Sequence, residues 1–363
     1  MIRLGVVQKW STADKVGIEL NDAFFLTLEV IQSVGSLRKA AQQLEVSYRH
    51  LWGLILRWGD SIGTPLVRLE RGRGAQLTPF GEKLLWANKR IGARLAPVLD
   101  GIASELELEL RSLASPNDSV LRIHASHGFA VELLRETLVA KTLPHEMKYM
   151  GSHAALESLS RNECDVAGFH VPEGELQKVA LPHFAKWLAQ PGHALVELAY
   201  RRQGLITAVG NPKKIRHVDD LVKLGVRFVN RQDGSGTRLV FDMLLAKAGI
   251  EPARISGYDT VEFTHSAVAA FVASGMADVG FGIETGARRF GLHFIPELEE
   301  RYFFLCRRES LALTRVAAML ETLRDEKFQQ QVNRLPGYRT VNCGRIESIS
   351  KVFPRIDKAR ATK

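Results

Sequence analysis

Two periodicities divide the chain. Up to about residue 113, apolar positions recur every three or four residues, the spacing of one helix face. From Val120 onward, short apolar runs alternate with helical stretches. In the first part, Phe24, Phe25, Leu28 and Ile31 define a helix that Asn21 or Asp22 can cap. "VGS" breaks it. Ser36 then caps a second helix with Leu37, Ala40, Ala41 and Leu44 on one face. After "EVS", Ser47 caps a third, buried through Leu51, Leu54, Ile55 and Trp58. The small Ala40 and Ala41 allow two helices to cross closely, so the pattern predicts helix, tight turn, helix. Tyr48, Arg49 and Trp52 lie near the start of the third helix, off its apolar face. In a recognition helix that end meets base edges and phosphates.

Two strand-like runs, "LVRLE" and "AQLT", flank "RGRG" and predict a hairpin with Arg71 and Arg73 at its tip. Such a wing suits phosphate or minor-groove contact. Thr78 caps and Pro79 starts a long helix running to about Leu113. Its stripe is Leu84, Ile91, Leu95, Val98, Ile102, Leu106 and Leu110, interrupted by Gly92 and Pro97. The stripe suits pairing with a second copy or packing against its own chain. "SLASPNDS" reads as a domain linker.

Beyond the linker the order is strand "VLRIHAS", helix "GFAVELLRETLV", strand "HEMKYMGS", helix "HAALESLSRN" and strand "CDVAGFHV". Later come strands "GLITAV" and "VRFVN", helices "TRLVFDMLLAKAG" and "THSAVAAFVASGM", and strand "DVGFGI". This is an α/β pattern, in which ligands bind beyond the carboxyl ends of strands. Two such sections, joined near "ELAYRRQGLITAV", predict two lobes around a cleft, with "HFIPELEERYFFLCRR" returning to the first. The expected domains are a winged helix-turn-helix at 1–80, a linker or dimerisation helix at 81–115 and a two-lobed ligand domain at 120–363. Its second lobe is expected at about 206–290, and it ends in a basic tail.

Charge adds a partner to this picture. The 363 residues carry a net charge of +9, unevenly distributed. Residues 36–94 hold 11 Lys/Arg against 4 Asp/Glu, whereas residues 120–310 hold 23 against 22. Basic charge gathered at the helix-turn-helix end points to a polyanion. No run approaches the ~18 apolar residues of a membrane span. "MIRLGVVQKWSTADK" lacks the apolar core of a secretion signal, so the expectation is a cytoplasmic protein with no membrane partner. Cys164, Cys306 and Cys343 are scattered and odd in number, which suggests neither a disulfide framework nor a zinc knuckle.

"GSLRKAAQQLEVSYRHLWGLI" followed by "GTPLVRLERGRGAQLTPFGEKLL" resembles the winged helix of ModE-type molybdate regulators and, more distantly, that of LysR-type regulators, over residues 20–90. The resemblance implies DNA-facing roles for Ser47, Tyr48, Arg49, Arg71 and Arg73. Trp52 is a further candidate, with a core role as the alternative. Residues 120–310 resemble the periplasmic-binding-protein-like ligand domain of some bacterial regulators, a domain also attached to molybdopterin-biosynthesis proteins. "DVAGFHV", "RRQGLITAVGNP", "RFVNRQDGSGTR", "ISGYDTVEFTHSAVAAFVASGMADVGFGIE" and "ERYFF" carry that resemblance. The chain departs from the family pattern after His170, with "VPEGELQKVALPHF".

The cleft candidates are of three kinds. His127, His153 and His170 follow three successive strands. Three imidazoles could hold a metal or donate hydrogen bonds to an anion, or they could serve separate structural roles; no HxH or HxxxH spacing favours metal. Ser126 and Ser152 precede two of them and are placed to cap the following helices, whose N-termini attract anions. In the second lobe, Gly234, Ser235, Gly236 and Thr237 form a small-residue turn. Arg231 and Arg238 flank it with fork-shaped donors. Arg201, Gln203, Tyr258 and Thr264 are secondary candidates. No Walker lysine, Ser/His/Asp signature or metal motif is present.

The expectation is therefore a non-enzymatic, cofactor-free transcriptional regulator, dimeric or a dimer of dimers on a double-stranded DNA operator. Its effector is a small anion. The resemblances favour molybdate or tungstate, with formate, sulfate or a molybdopterin-like phosphate as alternatives. A molybdenum-cofactor biosynthesis protein is the other class left open.

Overall fold

The structure is a computed structural model that describes residues 9–11, 19–70, 74–114, 120–354 and 356. The described residues divide into two compact units, one ending at Ala93 and the other beginning at Arg94.

In the first unit, β1 (Trp10–Ser11) pairs antiparallel with β2 (Glu19–Leu20). Helices α1 (Asp22–Val34), α2 (Leu37–Gln43) and α3 (Tyr48–Ile62) follow. Each begins at the residue expected to cap it. Asn21 accepts the Phe24 N–H at 3.1 Å, Ser36 that of Lys39 at 3.5 Å and Ser47 that of His50 at 3.1 Å. Phe24, Leu28, Ile31, Leu51 and Ile55 form a common core, each buried side chain contributing roughly 1.5–3 kcal/mol of transfer free energy. Trp58 packs edge-on against Phe24 with ring centroids 4.9 Å apart. Strands β3 (Val67–Glu70) and β4 (Gly74–Leu77) form the expected antiparallel hairpin. Thr78 then accepts the Gly81 N–H and opens α4 (Pro79–Ala114). Pro97 lies inside that helix, and the boundary between the two compact units falls within it.

The second unit is built on one mixed sheet. Its first lobe holds β5 (Leu121–Ala125), α5 (Phe129–Ala140), β6 (His145–Tyr149), α6 (Ser152–Ser160), β7 (Val166–Pro172) and α7 (Glu175–Leu188). The 15-residue strand β8 (His193–Thr207) leads into the second lobe. There follow β9 (Phe228–Arg231), α8 (Gly236–Ala248), β10 (Val261–Glu262), α9 (His265–Ala273), β11 (Val279–Ile283) and α10 (Glu284–Arg289). A second 15-residue strand, β12 (His293–Arg307), returns. The strand order is β10-β9-β11-β8-β12-β7-β5-β6. β8 and β12 pair antiparallel along their lengths and join the lobes. The outer strands are parallel to their neighbours within each lobe. Helices α11 (Thr314–Arg324) and α12 (Glu326–Asn333) cover the first lobe, and β13 (Tyr338–Arg339) pairs with β8. Among the described residues, no helix is long and apolar enough to cross a membrane.

The lobes are as the apolar runs predict, and the return of "HFIPELEERYFFLCRR" to the first lobe is seen in β12. "VPEGELQKVALPHF" supplies most of α7, whose Phe184 and Trp187 enter the first-lobe core.

Candidate functional site

On the first unit, Ser47, Tyr48 and Arg49 stand exposed at the start of α3. Tyr48 keeps 48% of its surface. Trp52 is half-buried against the unit's core, so its main contacts are packing contacts. Arg71 and Arg73 lie outside the described residues.

In the second unit the carboxyl ends of β5, β6, β7, β9 and β10 surround a cavity of about 220 Å³. Ser126, His127, Tyr149, Met150, Gly151 and His170 line it from the first lobe. Arg231, Gln232, Ser235, Gly236, Thr237, Phe263, Thr264 and His265 line it from the second, and Arg94, Pro97 and Val98 of α4 complete it. Four helices, α5, α6, α8 and α9, start at this rim. Ser235 caps α8 by accepting the Arg238 N–H at 3.1 Å, and Thr264 caps α9 by accepting the Ala267 N–H at 2.9 Å. Unsatisfied N–H groups at helix starts make such a rim attractive to anions.

Close approach of the lobes depends on missing side chains. A Cβ on Gly236 would lie 2.2 Å from His170 Nε2, and one on Gly151 would lie 2.7 Å from the Gly234 carbonyl oxygen. The "DGSGT" turn thus seats directly against the first-lobe loops. Gly234 itself has a φ of +76°, where glycine is unstrained.

Arg231 is the dominant charge. It is 6% exposed. Its Nε donates to the Gln232 side chain at 3.2 Å and its Nη2 to the Phe263 carbonyl at 2.9 Å. Among the described residues it has no carboxylate partner within ion-pair distance. Burial, reinforced by repulsion from Arg201, pushes its pKa down to about 9. A desolvated guanidinium with no counter-charge is costly, and an anion in the cavity would relieve that cost.

The imidazoles are neutral. Burial pushes His127 down to about 3 and His170 to about 4, and it holds His265 well below its ordinary value; nearby arginines add to each shift. Among the described residues, His127 Nδ1, His170 Nε2 and His265 Nδ1 have no hydrogen-bond partner, nor does the Ser152 hydroxyl. A neutral imidazole offers one N–H and one lone pair. His170 Nδ1 lies 3.3 Å from Ser126 Oγ, and the Ser126 hydroxyl in turn meets the Tyr302 hydroxyl at 3.2 Å.

Several sequence candidates are placed elsewhere. His153 leaves the cleft: α7 brings Phe184 flat against its ring at 5.1 Å and 9°, so the three-imidazole set does not form. Its place is taken by His265, whose signal was the hydroxyl–histidine pair Thr264-His265, the counterpart of Ser126-His127 and Ser152-His153. Ser126 and Ser152 do not cap the helices that follow. The caps are Gly128 and Gly151: the turn after β5 runs two residues past Ser126 before α5 begins, whereas α6 begins one residue early, so that Ser152 is already its first helical residue. Arg201 and Gln203 lie beneath the cavity, where Glu300 binds both. Arg201 Nε donates to Glu300, and Gln203 Nε2 donates to it at 2.5 Å. Burial opposes the charge on each member, but their attraction dominates, holding Arg201 above and Glu300 below its ordinary value. Gln203 passes the network to Thr237 at 3.3 Å. Arg238 bonds Asp242 at 3.1 Å and stacks 4.0 Å over Tyr258, whose hydroxyl donates to Asp242 at 2.7 Å. These three brace α8 outside the cavity lining. Among the described residues, no group of three or more His, Cys, Asp or Glu is arranged to hold a metal.

Comparison with known proteins bears on both units. Residues 135–324 match the PBP superfamily domain, and residues 25–82 match the bacterial regulatory helix-turn-helix protein, lysR family. An uncharacterized protein of Bacillus subtilis, YvgK, is 31% identical over 199 residues, which are 55% of this chain and 64% of that protein. The molybdenum transport protein ModE of Azotobacter vinelandii is 30% identical over 95 residues, 25% of this chain and 35% of that one. A crystal structure of full-length BenM aligns over 83% of this chain and 94% of its own at 18% identity, with a TM-score of 0.41.

Proposed function

The chain belongs to the PBP superfamily through its second unit and carries a LysR-type helix-turn-helix, and from that premise we propose that it is a one-component transcriptional regulator sensing a small oxyanion between its lobes. The observation that carries the effector reading is Arg231, a buried cation without a counter-ion, facing a cavity rimmed by four helix N-termini. An acceptor-only anion uses every donor there. Molybdate or tungstate is the favoured identity, because the ModE-like stretch adds the name of a molybdenum protein to the anion chemistry. The genes under control would serve uptake of molybdenum or tungsten, or enzymes using that cofactor, such as formate dehydrogenase.

DNA recognition falls to Ser47, Tyr48 and Arg49 on α3, together with the hairpin wing and its Arg71 and Arg73. Val98, Ile102, Leu106 and Leu110 are exposed at helical spacing along α4, which supports a homodimer, or a dimer of dimers, on paired half-sites. For the effector to regulate, it must bind two conformations with different affinity; closure of the lobes on the anion supplies that difference.

The test has two parts. Melting of the full chain is followed with molybdate, tungstate, sulfate, phosphate, formate and nickel; stabilisation by at least one anion is expected. Stabilisation by nickel alone would overturn the anion reading. Mobility shift on the protein's own upstream DNA is then followed across salt concentrations, with binding that weakens steeply as salt rises. Absence of binding at low salt would overturn the regulator.

A further inference from the structure

The part of α4 that starts at Arg94 packs across both lobes of the ligand domain. On the first lobe, Asp100 ion-pairs with Arg135 of α5 at 3.2 Å, and Ser104 Oγ accepts the Met147 N–H of β6 at 3.1 Å. On the second, Arg94 Nε and Nη2 donate to the two carboxylate oxygens of Glu262, each at 2.6 Å. Glu262 is fully buried and stands in register with Arg231 on the neighbouring strand. The bond to Glu262 raises the Arg94 pKa, so Arg94 stays charged. Glu262 is thus neutralised from α4 and leaves Arg231 uncompensated.

Arg94, Pro97 and Val98 line the same cavity as Arg231. The side-on pair with Glu262 engages Nε and Nη2 only. Nη1 has no hydrogen bond among the described residues. A guanidinium held by a carboxylate along one edge is pre-oriented, which lowers the entropy lost when its other edge takes a second anion.

We propose that Arg94 is an effector-contacting residue: pinned by Glu262, it offers Nη1 to the anion held by Arg231, and so makes helix α4 the third wall of the effector site. The proposal rests on the small-anion reading of the cavity. Its regulatory consequence is direct. The anion touches the helix that leads from the winged-helix unit as well as the two lobes, so its occupancy is felt on α4 without a relay through the sheet.

The experiment is calorimetric titration of the full chain with sodium molybdate, sulfate, phosphate and formate. Glu262→Gln removes a negative charge while keeping an acceptor for Arg94, and is expected to bind the anion several-fold tighter than wild type. Adding Arg94→Gln to Glu262→Gln is expected to weaken binding roughly tenfold relative to Glu262→Gln alone, the effect of one hydrogen bond to a charged group. The comparison is repeated in 1 M NaCl, where attraction beyond about 3 Å is screened; the gap persists if the contact is direct. Equal affinities of the two variants, or a gap that vanishes in salt, overturn the proposal while leaving the anion reading intact. Failure of the wild type to bind any of the four anions overturns both. Should the double variant melt below the titration temperature, Arg94→Lys decides: one ammonium cannot span Glu262 and the anion, so binding falls several-fold, and unchanged binding overturns the proposal.

Discussion

The start of α3 and the interlobe cavity handle charge in opposite ways. On α3, Arg49 and Tyr48 are exposed, and among the described residues no side-chain partner fixes them. In the cavity, Arg231 is desolvated, the imidazoles are held neutral, and even Arg94 is bound edge-on to a buried carboxylate. A surface that reads a long polyanion gains from many weak, salt-sensitive contacts. A pocket that selects one small anion gains from a single uncompensated charge at low dielectric, where each interaction is stronger and each misfit costs more.

The comparison is most exposed to failure at Arg231. Arg231→Met should reduce anion affinity more than a hundredfold, the order expected when a buried charge partner is lost. It should not lower the melting temperature of the anion-free protein, because the wild-type charge has no counter-charge to lose and relief of its burial offsets the loss of its bonds to Gln232 and the Phe263 carbonyl. DNA binding without anion should persist. Calorimetry, melting and mobility shift read the three outcomes. A large loss of anion-free stability would show that Arg231 is a structural cation and erase the contrast with Arg49.

Acidification probes the same contrast by titration. His127, His170 and His265 have folded pKa values far below the ordinary value. Their stabilising contribution is therefore present above the unfolded pKa near 6.5 and is lost as pH falls toward the folded values. Each histidine costs about 0.7 kcal/mol between pH 7 and pH 6, so the three together cost about 2 kcal/mol. The loss should appear in denaturant melts of the second unit's transition. Anion affinity should stay nearly level from pH 6 to 7 and decline as pH rises from about 8 through about 9, where half of the anion-free Arg231 has lost its proton. An affinity that rises steeply on going from pH 8 to 6 would mean the imidazoles bind as cations.

On the exposed side, Arg49→Ala should weaken operator binding about tenfold, and a lost phosphate contact should reduce the salt slope by about one. Anion-induced stabilisation should be unchanged. An unaltered mobility shift across salt would remove Arg49 from the interface.

The two regions also differ in how far the sequence discloses them. Ser47, Tyr48 and Arg49 follow from local rules, because a cap and a 3.6-residue period decide which side of one helix faces out. The same holds for the strands and for the lobes. The cavity depends instead on which distant segments converge. Ser235, Gly236, Thr237, Thr264, His127, His170 and Arg231 were legible as strand-end or helix-start residues. Arg201 was legible as a cationic candidate, yet Glu300, about a hundred residues away, takes it into the floor. Arg94 reads as one basic residue on a helix, and only the packing of α4 over Glu262 gives it a role. His265 was visible in principle, through its hydroxyl–histidine pair.

The smallest expected effect sharpens this last point. His153 occupies the same sequence context as His127, and by pattern alone it belongs in the site. In the structure its ring lies flat on Phe184, with Trp187 tilted at 5.6 Å, and burial lowers its pKa. His153→Phe preserves a flat ring and removes a group whose protonation is disfavoured there. Anion affinity should stay within about twofold of wild type, and stability should change by less than about 1 kcal/mol, the range of a volume-tolerant aromatic exchange. The corresponding His170→Phe places carbon where Nδ1 meets Ser126 and where Nε2 stands closest to the Gly236 turn, so it should weaken binding clearly. Equal losses in the two variants would mean that His153 also reaches the ligand. The stacking on α7 would then not be what separates a ligand histidine from a core histidine in this fold.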